Sequence, residues 1–503
     1  MNVKTLASEY CPAFLRLNLN KIRNSQIGYR LARGVFWSMA GAVISRGLMF
    51  AAWVFVARIL NKTGYGELGM IQSTIGMFGV IAGFGLGLTS TKYVAEFRST
   101  DPVRAGQIIG FSGLVAMVTG GLMAVGLFFF APWLAEHSIK APHLAGVLRI
   151  GALILFVNSL NGAQTGALSG FEAFKTIACV NLFISLVSFP LLVGGAYLGG
   201  LTGAVWALGI NLCFNWLLNH LALNKEARRY KVPITFRKCR NELSILWRFS
   251  LPAVLGAAMI GPIVWVCNAM LVNKPGGYEE MGIFTATIIF QNLLLFAAGM
   301  LDAPLLSIVA NAGSNVSERL STVNILSTWI LGVVFAVPLL CFPEVAQLVF
   351  GSDYYTHHFQ IAFSLVVFCT SIMAYKAGLT RIIVANNILW WGFFSNALWG
   401  IILIVSTLFL IHLGAPGLAA SFVIAYMSQT LILFPLYYSR NLVPKGTLLS
   451  IESVLIWLVL VGLVFLNIVN MSLLSRSFVF IPSMLIVGFA FKRITKGAAT
   501  TKR

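Results

Sequence analysis

A chain of 503 residues could supply several soluble domains, but 58% hydrophobic and 10% charged residues, with a mean hydropathy of +0.87, exclude a water-soluble protein. Each membrane span takes about 20 apolar residues, so a multispanning chain of this length has no room for a large soluble domain. The 35 Lys and Arg against 15 Asp and Glu, net +20, would suggest nucleic acid in a soluble protein; in a spanning chain the excess belongs to basic cytoplasmic loops, and no nucleic-acid partner is needed.

Residues 1–34 hold six basic residues and no apolar run ending in a small-residue cleavage site, so they are expected to be a cytoplasmic lead-in rather than a cleaved signal. Apolar stretches follow near 35–57, 67–88, 106–131, 145–167, 176–198 and 201–223. A basic linker at 224–248 separates them from a second set near 249–272, 281–301, 322–342, 359–379, 390–411 and 416–438. Two more, near 450–469 and 476–491, precede a tail at 492–503. The expected architecture is an all-α integral membrane protein of fourteen transmembrane helices. It comprises an N-terminal six-helix bundle (35–223), a C-terminal six-helix bundle (249–438) and two additional helices (450–491). An even number of spans puts both termini on one side, and that side collects 28 of the 35 basic residues against 5 on the other. The asymmetry predicts that both termini are cytoplasmic. The run Arg228, Arg229, Lys231, Arg237, Lys238, Arg240 is first a topology signal and second a contact for anionic membrane lipids.

The chain also resembles itself. WVFVARILNK at 53–62 matches WVCNAMLVNK at 265–274, and GYGELGMIQSTI at 64–75 matches GYEEMGIFTATI from 277, sharing Gly64/Gly277, Tyr65/Tyr278, Glu67/Glu280, Gly69/Gly282, Thr74/Thr287 and Ile75/Ile288. Shared hydrophobicity alone would not reproduce the polar members. The copies begin successive six-span sets, so both halves enter the membrane in the same direction. Two parallel repeats with a site between them is a transporter geometry.

Arg46 falls near the middle of span 1, where insertion of an arginine costs about 2.5–3.5 kcal/mol. All fifteen carboxylates lie in tails, loops or span ends, so the expected compensation is a water-filled cavity with an anionic ligand, a pyrophosphate or an acidic sugar. Arg149, Lys376 and Arg381 extend the same cationic lining if they face inward and snorkel to the interface if they do not. Asn158 and Gln291, with Asn161, Gln164, Asn292 and Asn396, either line a sugar-binding cavity or hydrogen-bond between helices. The seven cysteines are scattered without a CxxC and are expected to be small core hydrophobes. No GxxxxGK[ST] occurs, so no cofactor is implied and drive would come from an H+ or Na+ gradient. Gly83-Phe-Gly85-Leu-Gly87 follows no predicted strand and is expected to bend or pack a span. His357 and His358, near Asp353 and Glu344, are expected to be a solvated outer loop rather than a metal site.

The N-terminal 70 residues, with Arg58-Ile-Leu60, Gly64-Tyr65-Gly66, Gly85-Leu-Gly87 and Lys92-Tyr-Val-Ala-Glu96, resemble the Wzx-type polysaccharide-biosynthesis flippases of the multidrug/oligosaccharidyl-lipid/polysaccharide (MOP) superfamily. The resemblance implies a MATE-like fold of two bundles around a central cavity in a bacterial inner membrane. It also implies that an undecaprenyl-pyrophosphate-linked sugar repeat unit, of O-antigen or another surface polysaccharide, is carried to the periplasmic face. A polysaccharide polymerase and a chain-length regulator would be candidate protein partners. Neighbouring readings are a multidrug/cation antiporter, which calls for an intramembrane carboxylate, and a lipid II flippase. No outer loop exceeds about 15 residues, which leaves no place for a polymerase active site, so the chain is expected not to be an enzyme.

Overall fold

The computed structural model describes residues 26–235, 258–302, 305, 318–385, 389–439 and 450–500. The helices there, in chain order, are α1 (Gln26–Gly83), α2 (Leu86–Phe97), α3 (Pro102–Trp133), α4 (Ala145–Gly170), α5 (Phe174–Arg229), α6 (Ile260–Val272) and α7 (Gly277–Gly299). They continue as α8 (Glu318–Cys341), the short α9 (Glu344–Phe350), α10 (His357–Ala385), α11 (Leu389–Leu410), α12 (Ala415–Ser439), α13 (Ile451–Ile468) and α14 (Leu473–Thr500). Eleven helical stretches are long and apolar enough to cross a bilayer, and α6 is a shorter apolar one. Two of the long ones are pairs of spans: α1 breaks at Asn61 (φ 56°) and α5 at Gly199–Gly200 (Gly200 φ 55°). Asparagine and glycine are the residues that enter this left-handed region at least cost.

With those breaks thirteen of the fourteen expected spans appear among the described residues, the seventh is represented by the short α6, and the fold is an all-α membrane fold. Residues 1–25, the basic segment 236–248 with Arg237, Lys238 and Arg240, and the first part of the seventh span (249–257) lie outside the described residues. The glycine-rich run ends α1: Phe84 (φ 41°) and Gly85 (φ 62°) break the helix before α2 begins at Leu86, the bend expected of it. Asp101 restarts the chain as a helix cap, its Oδ1 accepting from the Arg104 amide at 3.0 Å, with Pro102 in the first turn.

The two copies of the repeat meet at the hairpin end, where the turns at 61–64 and 273–276 lie. A methyl group on Gly66 would collide with the Tyr278 carbonyl, and one on Gly282 with the Lys62 carbonyl. Only glycine allows these two backbones to approach so closely.

The last two helices dock on the second six-helix set. Trp329 of α8, fully buried, stacks on Trp457 of α13 at 5.2 Å and meets Phe491 of α14 edge-on at 5.1 Å. At the other end Arg476 of α14, 3% exposed, pairs with Glu344 of α9 and donates to Asn467 Oδ1 at 2.9 Å, while Asn467 Nδ2 donates to the Leu340 carbonyl at 2.7 Å. Trp329→Ala is expected to destabilise by about 3–5 kcal/mol through the cavity it leaves, seen as a fall in the thermal unfolding midpoint in detergent with no change in cargo selectivity.

Cys267, Cys341 and Cys369 are buried as expected, whereas Cys179 and Cys213 are exposed on α5. A bilayer-facing helix surface is itself apolar, so a small hydrophobe is equally at home there.

Candidate functional site

The duplication creates two equivalent seams between the halves, and they are not in the same state. In one, the second half of α1 meets α6: Trp265 Nε1 donates to Thr74 Oγ1 at 2.9 Å and Asn268 Nδ2 to Ser73 Oγ at 2.9 Å. In the other, the first half of α1 faces α7. Trp53 is the repeat partner of Trp265 and Thr287 that of Thr74, and each threonine donates to a carbonyl of its own helix, Thr74 to Met70 at 2.9 Å and Thr287 to Phe284 at 2.7 Å, but Trp53 does not bond to Thr287 as Trp265 does to Thr74. Trp53 instead lines a cavity.

That cavity, 270 Å³, is walled by Arg46, Met49, Phe50, Trp53, Tyr65 and Gln72 of α1 and by Thr285, Ile288, Ile289, Asn292 and Leu293 of α7. Its lining residues include one cation, two amides, the Thr285 hydroxyl, three aromatic rings, one of them the Tyr65 phenol, and no carboxylate. The Arg46 residue is exposed, and its guanidinium lies 4.7 Å from the Phe296 ring centroid. The neighbouring Ser45 fixes this stretch by bonding to Ser185 and the Asn181 carbonyl on α5. A cation–π contact returns about 0.5–2 kcal/mol, less than the roughly 2.5–3.5 kcal/mol needed to place an arginine at mid-membrane. The remainder calls for water or an anionic group at the guanidinium. An arginine fork in such a place can grip two oxygens of a phosphate or carboxylate, and the aromatic rings present flat apolar faces beside it.

At the hairpin end the halves are bonded to each other. Asn273 Nδ2 donates to the Ser138 carbonyl at 2.8 Å and Tyr278 Oη to that of Ile139 at 2.9 Å. From the opposite half, Arg58 donates to the Leu348 and Val349 carbonyls, each at 2.8 Å.

Of the six residues singled out to bind cargo, the structure places Arg46 in this lining, and of the further amides weighed beside them it places Asn292 there too. Arg149 and Asn158 are exposed on α4, with Arg149 5.3 Å from the centre of the Phe128 ring. Gln291 is on α7 and bonds to Met373 Sδ on α10 at 2.8 Å. Lys376 bonds to Gln429 of α12, lies 4.8 Å from the Tyr426 ring centroid, and Gln429 in turn donates to Ser395 of α11. Arg381, 5% exposed, pairs with Asp302 and donates to Asn324 Oδ1 at 2.7 Å, the Asn324 carbonyl at 2.6 Å and Thr328 Oγ1 at 3.1 Å. The carboxylate that sequence reasoning left at a span end thus reaches Arg381, whose charge is balanced without cargo. Asn161 and Asn219 bond between α4 and the second half of α5, as interhelical amides do.

Sequence reasoning missed Trp53, Gln72 and Thr285. A signal was present: Gln72 and Thr285 are repeat partners, so both copies of one position line the cavity. The outer-loop histidines form no cluster of three or more metal-ligand types among the described residues. His358 bonds to Glu280, and Glu344 is held by Arg476.

Two membrane bundles joined along one seam and parted along the other by a charged cavity give the MATE-like fold of the MOP superfamily. Solved structures agree: an inward-facing MATE-family multidrug resistance transporter of the MOP superfamily superposes with a TM-score of 0.62 at 17% identity over 80% of this chain and 98% of that one. A MOP-superfamily transporter from Pyrococcus furiosus also gives 0.62 at 17% identity, over 81% of this chain and 94% of its own. The polysaccharide biosynthesis protein family model matches residues 31–301, more than half of the sequence, and the chain belongs to that family. It is 21% identical to the EPS I polysaccharide export inner membrane protein EpsE of Ralstonia nicotianae over 79% of this chain and 90% of that protein. It is also 21% identical to the lipid III flippase of Escherichia coli, over half of this chain and 61% of the relative's length. The chain is thus a multi-pass membrane protein of the polysaccharide biosynthesis protein family.

Proposed function

We propose that the protein is a flippase that carries an undecaprenyl-pyrophosphate-linked oligosaccharide, the repeat unit of O-antigen or another surface polysaccharide, from the cytoplasmic to the periplasmic face of a bacterial inner membrane. The observation that carries this reading is the Arg46 guanidinium in a carboxylate-free cavity on the open seam between the halves. The pyrophosphate pairs with Arg46, the first sugars lie against Trp53, Tyr65, Gln72 and Asn292, and the polyprenyl tail stays in lipid. Both termini are then cytoplasmic, the hairpin end is periplasmic, and the bonded state described above is closed to the periplasm. Rocking of one bundle against the other breaks the hairpin-end bonds and exposes the head outside. Among the candidates from sequence we assign cargo contact to Arg46 and Asn292 and place Arg149 and Asn158 outside the first contact. Gln291, Lys376 and Arg381 hold the C-terminal half together. A drug or cation exporter of the same fold would need a carboxylate in place of Arg46. The relatives named for export of a polysaccharide and for lipid III flipping support the glycolipid reading.

Deletion of the gene in its host tests this. Undecaprenyl-linked repeat units should accumulate on the inner leaflet and surface polysaccharide should be lost. Unchanged glycolipids together with hypersensitivity to cationic drugs would overturn the proposal in favour of the exporter.

A further inference from the structure

Buried amides such as Asn161, Asn219, Asn324, Gln429 and Asn467 each donate to a neighbouring helix, as polar groups out of reach of water do. The cavity lining is different. Of its polar side chains Thr285 donates to the Met281 carbonyl at 2.7 Å, whereas the Trp53 indole, the Tyr65 hydroxyl, the Gln72 and Asn292 amides and the Arg46 guanidinium have no hydrogen-bond partner among the described residues. Tyr65 is 1% exposed, so its phenol is a buried polar group that reaches the cavity with nothing to bond. These groups are also ordered by depth. Trp53 lies eight residues before the break at Asn61 and Gln72 eight residues after Gly64, which at about 1.5 Å per residue puts both about 12 Å from the hairpin end. Arg46 and Asn292 lie fifteen residues from Asn61 and Gly277, about 22 Å from that end. Tyr65 stands beside the turn itself. The one cation therefore sits at the inner level, and no charged residue lines the cavity from there to the hairpin end.

We infer that Trp53, Tyr65 and Gln72 form a sugar subsite that selects an uncharged sugar next to the pyrophosphate, with the head lying lengthwise and its glycan toward the hairpin end. This rests on the proposed glycolipid cargo and narrows it. The cavity, 270 Å³, is small beside ordinary ligand pockets of about 300–1,000 Å³, so it takes the pyrophosphate and the sugar beside it rather than a whole repeat unit. A pyrophosphate at the level of Arg46 and Asn292 uses the one cation. About 10 Å nearer the hairpin end, the neighbouring sugar meets an indole N–H, a phenol hydroxyl and an amide, which together donate to and accept from sugar hydroxyls. The Phe50 and Trp53 rings cover its apolar side. A carboxylate on that same sugar would be desolvated with no cation to pair with, against ring faces that are themselves electronegative. Acidic sugars are therefore confined to positions farther along the glycan, outside the cavity.

Calorimetric titration of the purified full-length protein in detergent with three probes tests this: farnesyl pyrophosphate, farnesyl-pyrophosphate-linked glucose, and the same compound with glucuronic acid, which differs from glucose in the carboxylate at C6. The glucose compound should bind several-fold more tightly than farnesyl pyrophosphate, and the glucuronic acid compound at least tenfold more weakly than the glucose compound. Tyr65→Phe removes one hydroxyl and keeps the ring, so it should reduce the advantage of glucose several-fold and leave farnesyl pyrophosphate within twofold of the parent. Gln72→Arg places a cation at the sugar level and should bring the glucuronic acid compound level with glucose or ahead of it. Binding of farnesyl pyrophosphate shows in each variant that the cavity is intact. Equal affinity of the parent for the two sugar compounds, or an unchanged ratio in Gln72→Arg with farnesyl pyrophosphate still bound, overturns the inference and leaves the pyrophosphate cargo standing. Failure of all three probes to bind the parent would instead sink the proposed cargo itself.

Discussion

Replacing Arg46 with alanine is expected to weaken retention of a pyrophosphate-bearing cargo by about 10- to 100-fold while leaving the fold intact or slightly more stable. A hydrogen bond to a charged group contributes about 1.5–3 kcal/mol, and 1.4 kcal/mol is a factor of ten. The stability side follows from the imbalance at this residue. The Phe296 contact at 4.7 Å returns less than placing the guanidinium costs, so the free protein gains rather than loses when the charge is removed. An arginine with a structural role would behave the other way, lowering the unfolding midpoint and the flipping rate together. Flipping of a fluorescent polyprenyl-pyrophosphate oligosaccharide in proteoliposomes at sub-saturating cargo, paired with thermal unfolding, separates the two. Arg46→Lys keeps the charge and loses the bidentate fork, so it should fall between the parent and Arg46→Ala. Normal flipping by Arg46→Ala would remove Arg46 from the mechanism.

Arg46 could be found from sequence because its cost is set by depth and by the absence of carboxylates at that depth, both visible in a one-dimensional reading. The fourteen spans were legible for the same reason: a bilayer demands a fixed length of apolar chain, whatever the neighbours. The Gly83–Gly87 bend was legible because glycine marks places where a helix stops. What sequence could not show was direction around the helix axis. Spans that are apolar on all sides carry no amphipathic signal, so nothing in the sequence told whether Lys376 faced the cavity or, as it does, Gln429 between α10 and α12. Arg381 was out of reach for another reason. Asp302 lies nearly eighty positions away, and only tertiary packing of the α7 end against α10 brings the pair together. The repeat offered more than it first yielded. Arg46 matches Ala258, Gln72 matches Thr285, and Trp53 matches Trp265, so the first pair shows where symmetry is broken by a charge and the last where one indole is bonded and its twin is not.

Asp302→Asn is expected to lower stability by about 1.5–3 kcal/mol, and its effect should be strongly coupled to Arg381. Removing one member of a buried ion pair strands the other, which commonly costs about 3–5 kcal/mol. Here Asp302 is 53% exposed while Arg381 is 5% exposed, so solvent already screens the acidic side and the figure is discounted accordingly. The stranded group is the guanidinium, which keeps Asn324 and Thr328 as acceptors but no anion. Arg381→Met should also destabilise, because Asn324 Oδ1 and the exposed Asp302 lose their donor. The double variant should then cost less than the sum of the singles, with a coupling of about 1 kcal/mol or more, as expected for groups in direct contact. Denaturation of all three variants in detergent, alongside the parent, measures this. The flipping rate per folded molecule decides what Arg381 is for: it should stay within a few-fold of the parent in Arg381→Met, because the cavity wall does not include it. Collapse of flipping at an unchanged unfolding midpoint would instead mean that Arg381 releases Asp302 during the cycle and meets the cargo.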